Sequence, residues 1–282
     1  MIEINDSAAI LRVATGVRAD AEGWRLVAEA ALFTLVGTAL LVGAGLPEAG
    51  LFAVVLATAA LDGRMRRLLD THREAVAARP RHTLAAHRRT VFALAALFVG
   101  IGLAFVAVAL CLGPGELPGR FGAALAAEAH GGDILSRQFN VGVGALLRHN
   151  LATMTLFVVL GFFYRSAGAL LALGWNAAVW AVVLTALIAR GLDHTALSAP
   201  VFILGSLAAV LPHLLVELLG YALATLATLC AAQAVVRARV EHAPLLPALR
   251  PVAGLLLAAV ISLALAAVLE DRFAPWMFTH LR

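Results

Sequence analysis

An all-α, polytopic transmembrane bundle of about seven crossings is the fold class that the sequence predicts, and three observations carry it. Of the 282 residues, 62% are hydrophobic and only 13% charged, far from the soluble balance of about 45–50% apolar and about 25% charged. The mean hydropathy is +0.93. Several separate apolar runs approach or reach the roughly 20 residues that a spanning helix needs. In this setting the net charge of +4 and the pI near 10 give no case for nucleic acid as a partner. All 21 basic residues are arginine.

The N-terminal 25 residues carry Glu3, Asp6, Arg12, Arg18, Asp20, Glu22 and Arg25. A cleavable signal would show a basic start and a short apolar core instead, so the first span is expected to act as the insertion signal. Apolar runs place spans at 26–43, 50–61, 91–112, 145–163, 167–189, within 200–236, and at 252–269. The second run is short. With Gly45, Pro47 and Gly50 as turn residues, the first two spans read as a helical hairpin whose second arm must tilt or thin the bilayer.

The run at 200–236 is too long for one ordinary span, and two full crossings would carry Arg237, Arg239 and Arg250 to the outer side. A broken or re-entrant segment is expected there, with a half-length piece up to Leu211 and a full helix opening at Pro212, where a proline needs no N–H partner. Arginines are enriched in cytoplasmic loops near span ends. With the N-terminus inside and the C-terminus outside, 15 of the 21 fall on the inner side. The chain therefore divides into an N-terminal membrane hairpin plus basic cytoplasmic loop at 1–90, and a transmembrane core at 91–282 with an outer interfacial segment at 113–150.

The inner loop at 62–90 holds eight arginines, Arg64, Arg66, Arg67, Arg88 and Arg89 among them. Basic clusters beside a span attract anionic lipid headgroups, at about 1 kcal/mol each near the surface. Such a loop fixes topology or docks a cytoplasmic partner. On the outer side, Ile134, Leu135, Phe139, Val141 and Val143 alternate with polar residues, the pattern of a helix lying in the interface or of an ordinary linker. Asn150, at the mouth of the fourth span, is placed to cap that helix or to join a polar cluster. Cys111 and Cys230 sit in apolar runs as small hydrophobes.

Small residues recur every four positions at Gly220, Ala224, Thr228 and Ala232, and again at Gly168 and Ala172. Such faces let membrane helices approach closely, within one chain or in a homo-oligomer. His213 and Glu217 lie four apart on the same helix face, and Asn176 is a strongly polar side chain in the preceding span. Ionisable groups at membrane depth face a bundle interior or a cavity. A structural clamp, a polar pathway or ligand site at a helix start, and an intramembrane hydrolase each use such residues. The hydrolase is the weakest of these, because H-x-x-x-E with one asparagine lacks the ligand set of HExxH. No metal, cofactor or catalytic residue is expected.

The succession of Asn150, Gly161 and Gly168, Asn176 and then "LPHLLVE" resembles the stage II sporulation protein M family of integral membrane proteins. Its pattern runs as an asparagine-led span, glycines, an Asn-Gly pair and a Pro-His-Gly-x-x-Glu motif. Pro212, His213 and Glu217 take the motif positions, and Asn176 takes that of the pair; Leu214 and Ala177 stand where the family has glycine. The resemblance covers roughly 91–269. It implies a non-enzymatic membrane scaffold that gathers partners such as cell-wall hydrolases, often beside an AAA-type ATPase. The runner-up from the residues alone is a permease or ion pathway using the His-Glu pair.

Overall fold

The computed structural model of the chain describes residues 6–77, 84–112, 115–128, 142–242 and 244–280, and these are helical apart from short turns. Helices α1 (Asp6–Gly43) and α2 (Ala49–Ala77) form the expected hairpin. Gly45 turns the chain at φ +72, a conformation open to a residue without Cβ. Gly37 packs on Leu56, and Arg64 Nε lies 3.0 Å from Glu29 Oε2, so the arms run antiparallel. Glu29 also meets Arg25 at 2.7 Å. These groups are a quarter or more exposed, so Glu29→Gln is expected to cost less than about 1 kcal/mol in a detergent melt.

The segment expected as a loop at 62–90 is largely helix. α2 continues to Ala77 and α3 (Leu84–Cys111) has already begun before the apolar run; residues 78–83 lie outside those described. Leu61, Met65 and Leu69 recur every four positions and are buried, while Arg66 and Arg67 point outward. That stripe holds α2 to the bundle beyond its apolar run. α3 returns alongside α1, and Gly100 sits directly against the Val27 carbonyl and Ala30.

Helix α4 (Leu117–Glu128) closes the Gly45 end of the bundle. No helix is expected at 117–128, which falls in the outer segment at 113–150. Distant contacts hold it: Arg120 Nη1 donates to the Leu46 carbonyl at 2.9 Å, and Glu48 Oε2 accepts the Ala123 N–H at 3.0 Å. Phe121 covers Gly50 and meets Phe105 edge-on, with centroids 5.9 Å apart. Of the expected interfacial helix, 129–141 lies outside the described residues, and 143–150 is the first part of the next helix.

Helix α5 (Val143–Leu192) has 50 residues and breaks at Arg165, where φ is 52 and ψ is −122. Gly168 lies against the Leu160 carbonyl, whereas eight residues of straight helix would separate the two by about 12 Å. The chain doubles back there, so α5 is two arms, 143–164 and 166–192. The break falls in the gap expected between the fourth and fifth spans. Ser166 Oγ donates to Asp62 Oδ1 at 2.6 Å and ties the reversal to α2.

Helix α6 (Ala199–Val240) runs unbroken for 42 residues with Pro212 in its interior. The full helix therefore opens at Ala199, with Pro200 in its first turn, and the two pieces expected on either side of Pro212 are one. α7 (Leu245–Val268) returns along it, passes through a π-helical turn at Leu269–Phe273 and ends in α8 (Ala274–Thr279). Among the described residues, five helices are long and apolar enough to cross a membrane, α5 among them with its two arms, and the chain is a multi-pass membrane protein. An apolar core around Phe105, Phe157, Leu173 and Tyr221 joins α1 through α7.

Candidate functional site

Three contacts fix how α5 and α7 sit along α6. Phe157 stacks on Tyr221 with centroids 4.8 Å apart, and Gly161 meets the Thr228 methyl, so the first arm of α5 runs parallel to α6. Gly191 closes on the Phe202 ring, so the second arm runs antiparallel. Gly220 meets Leu263 and the Ala259 carbonyl, which sets α7 antiparallel as well.

Counting from these contacts brings the motif together. Asn150 stands seven residues before Phe157 and so lies level with Leu214, seven before Tyr221. Asn176 stands fifteen before Gly191 and lies level with Glu217, fifteen after Phe202. All four polar residues are inward: Asn150 is 3% exposed, Asn176 7%, His213 7% and Glu217 6%. Helical rise of 1.5 Å per residue keeps the whole set within about two turns of the bundle axis.

Not every polar atom of the set is paired. Nδ1 of His213 and Nδ2 of both Asn150 and Asn176 are buried without a partner, as are Ser206 Oγ and Thr225 Oγ1. Asn150 does not cap a helix either, because α5 starts seven residues earlier at Val143 with Gly142 as its N-cap. A buried polar atom left unpaired costs about 1–3 kcal/mol. His213→Leu should therefore raise the melting temperature of the purified protein, by the equivalent of about 1 kcal/mol. A fall would mean that the imidazole is held by its other nitrogen.

The small-residue face packs within the chain. Gly220, Ala224, Thr228 and Ala232 are all buried, with Gly220 against α7 and Thr228 against α5. Gly168 serves the reversal of α5. Cys111 and Cys230 are free thiols. Among the described residues, no three His, Cys, Asp or Glu side chains come together. Of the basic residues, Arg64 pairs with Glu29 and Arg66 with Asp62 at 2.6 Å; Arg67, Arg88 and Arg89 are exposed.

Charges bracket the hydrocarbon. The α5 register sets Arg148 level with Pro212, and the α7 register sets Glu270, Asp271 and Arg272 within a turn of it. At the far end, Arg165 lies level with Leu229, and Arg237 follows. The interval is 17 to 25 residues, about 25–37 Å at the helical rise, which brackets the roughly 30 Å of a bilayer core. By this register His213 lies one residue from the level of Arg148, and residues 199–211 extend about 18 Å past that level; Arg190, next to Gly191, stands level with Ile203.

The first third of α6 is apolar. Phe202, Ser206 and Ala209 are buried, but Val201 is 51% exposed and Leu204 67%. Trp276 of α8, 56% exposed, stands level with them by the α7 register. The sequence signal for this patch is the length of the run itself, which predicts a break where the helix continues. No family model matches the chain, and neither curated proteins nor solved structures give a match.

Proposed function

We propose that the chain is a non-enzymatic scaffold of the cytoplasmic membrane that recruits partner proteins, with its N-terminus inside and its C-terminus outside. The observation that carries this reading is the exposure of Val201, Leu204 and Trp276, on the parts of α6 and α8 that we place outside the bilayer. Apolar surface held in water is a docking surface for a protein. The excess of arginine at the Arg165 end supports that end as the inner one. Cell-envelope or peptidoglycan remodelling factors, such as cell-wall hydrolases, suit the outer patch, and an AAA-type ATPase suits the basic inner face; both classes come from the stage II sporulation protein M resemblance.

Affinity purification from native membranes after mild crosslinking tests this. A scaffold loses its partner with Leu204→Glu and keeps it with Glu217→Gln, a near-isosteric change away from the patch. A second reading, a permease or ion pathway, is favoured by the unpaired polar atoms of Asn150, Asn176 and His213. It makes the opposite demand. Glu217→Gln would then abolish flux into proteoliposomes while the protein still folds.

A further inference from the structure

The reversal of α5 presents four consecutive exposed residues, Phe162, Phe163, Tyr164 and Arg165, between the buried Gly161 and Ser166. Phe163 is 71% exposed and Tyr164 67%. From these and their neighbours we infer that the tip is a binding site for the phosphate headgroup of an anionic phospholipid, gripped by Arg165 and Arg66.

Three observations meet there. The first is a short chain of contacts that links the backbone beside Arg165 to the Arg66 guanidinium. Ser166, bonded to Arg165, donates through Oγ to Asp62 Oδ1 at 2.6 Å, and Asp62 Oδ2 lies 2.6 Å from Arg66 Nη2. Asp62 neutralises one of the two cations and fixes the tip to α2. The Arg165 guanidinium makes no ion pair among the described residues. A phosphate oxygen pair matches the fork that an arginine offers.

The second is position. Arg165 stands level with Leu229, at the limit of the hydrocarbon interval. Phe162 and Phe163 meet edge to face at 5.4 Å, and Tyr164 beside them adds a ring with a polar tip. Such amphipathic rings settle at headgroup level. A lipid whose phosphate meets the arginines would lay its glycerol and upper acyl carbons across these rings.

The third is the backbone. Arg165 holds φ 52 with ψ −122, a region that disfavours any residue with a Cβ and that glycine enters freely. A glycine would make this turn at less cost. An arginine kept in a strained position points to a task for its side chain.

The test uses the full chain in nanodiscs of phosphatidylcholine, with and without phosphatidylglycerol, followed by thermal melting. Wild type should melt several degrees higher when phosphatidylglycerol is present. Arg165→Gly should melt higher than wild type in phosphatidylcholine, because the strain is relieved, yet lose the lipid-dependent shift. Arg66→Gln should lose most of that shift. Arg239→Gln, which removes an exposed charge from the last turn of α6, should keep it. Two results overturn the site: a shift absent from wild type, or one that Arg165→Gly retains. Equal losses from Arg239→Gln would reduce it to general charge attraction, and an equal shift with soluble glycerol phosphate would exclude the lipid as its source.

Discussion

Gly168→Leu is expected to leave almost no folded protein after detergent extraction. A Cβ at this position would overlap the Leu160 carbonyl, which is backbone and has nowhere to go, and would crowd Tyr164 Cβ at 2.9 Å. Overpacking ordinarily costs about 1–3 kcal/mol where a side chain can yield. Here the reversal itself must open, and it carries both the Ser166–Asp62 bond and the packing of two α5 arms. We expect a loss at or above the top of that range, read as the fraction surviving size-exclusion chromatography. Gly144→Leu, in the same helix with open space around it, should cost little and serves as the control.

Gly220→Leu is the second large effect. Its Cβ would lie 2.8 Å from Leu263 Cδ2 and 3.2 Å from the Ala259 carbonyl. Leu263 is a side chain and can move; the carbonyl cannot. α6 and α7 would have to separate, at about 2–3 kcal/mol. That contact also sets the register on which Trp276 stands beside Val201 and Leu204, so a viable Gly220→Leu protein should lose partner capture as well as stability. In contrast, Gly254→Ala has nothing within 4 Å and should raise stability by about 0.5–1 kcal/mol through helix propensity.

Much of this architecture is legible in the sequence because the bilayer imposes a simple rule. Apolar length specifies a span, and the gap between the apolar runs at 145–163 and 167–189 marks the Arg165 break. Gly45 and the short run after it mark the hairpin, and the spacing of Gly220, Ala224 and Thr228 marks a packed face. Inward placement of Asn150, Asn176, His213 and Glu217 follows from the cost of exposing them to lipid.

What sequence reasoning misses depends on contacts far apart in the chain. α4 holds through Leu46 and Glu48, some 75 residues away. The Asp62–Ser166 bond spans 104 residues. Pro212 reads as a helix start because proline usually is one; packing against α7 and α8 carries the helix straight through it. That difference makes 199–211 the start of one continuous helix instead of a re-entrant piece.

Site-specific photocrosslinking from position 204 in native membranes examines the recruiting surface most directly. With a photoreactive residue replacing Leu204, a scaffold should give a discrete adduct with one defined protein, identified by mass spectrometry as a cell-wall hydrolase or another envelope factor. The same probe at Gly254, on α7, should not. Adducts with lipid alone at position 204 would mean that the patch lies in the bilayer and recruits nothing.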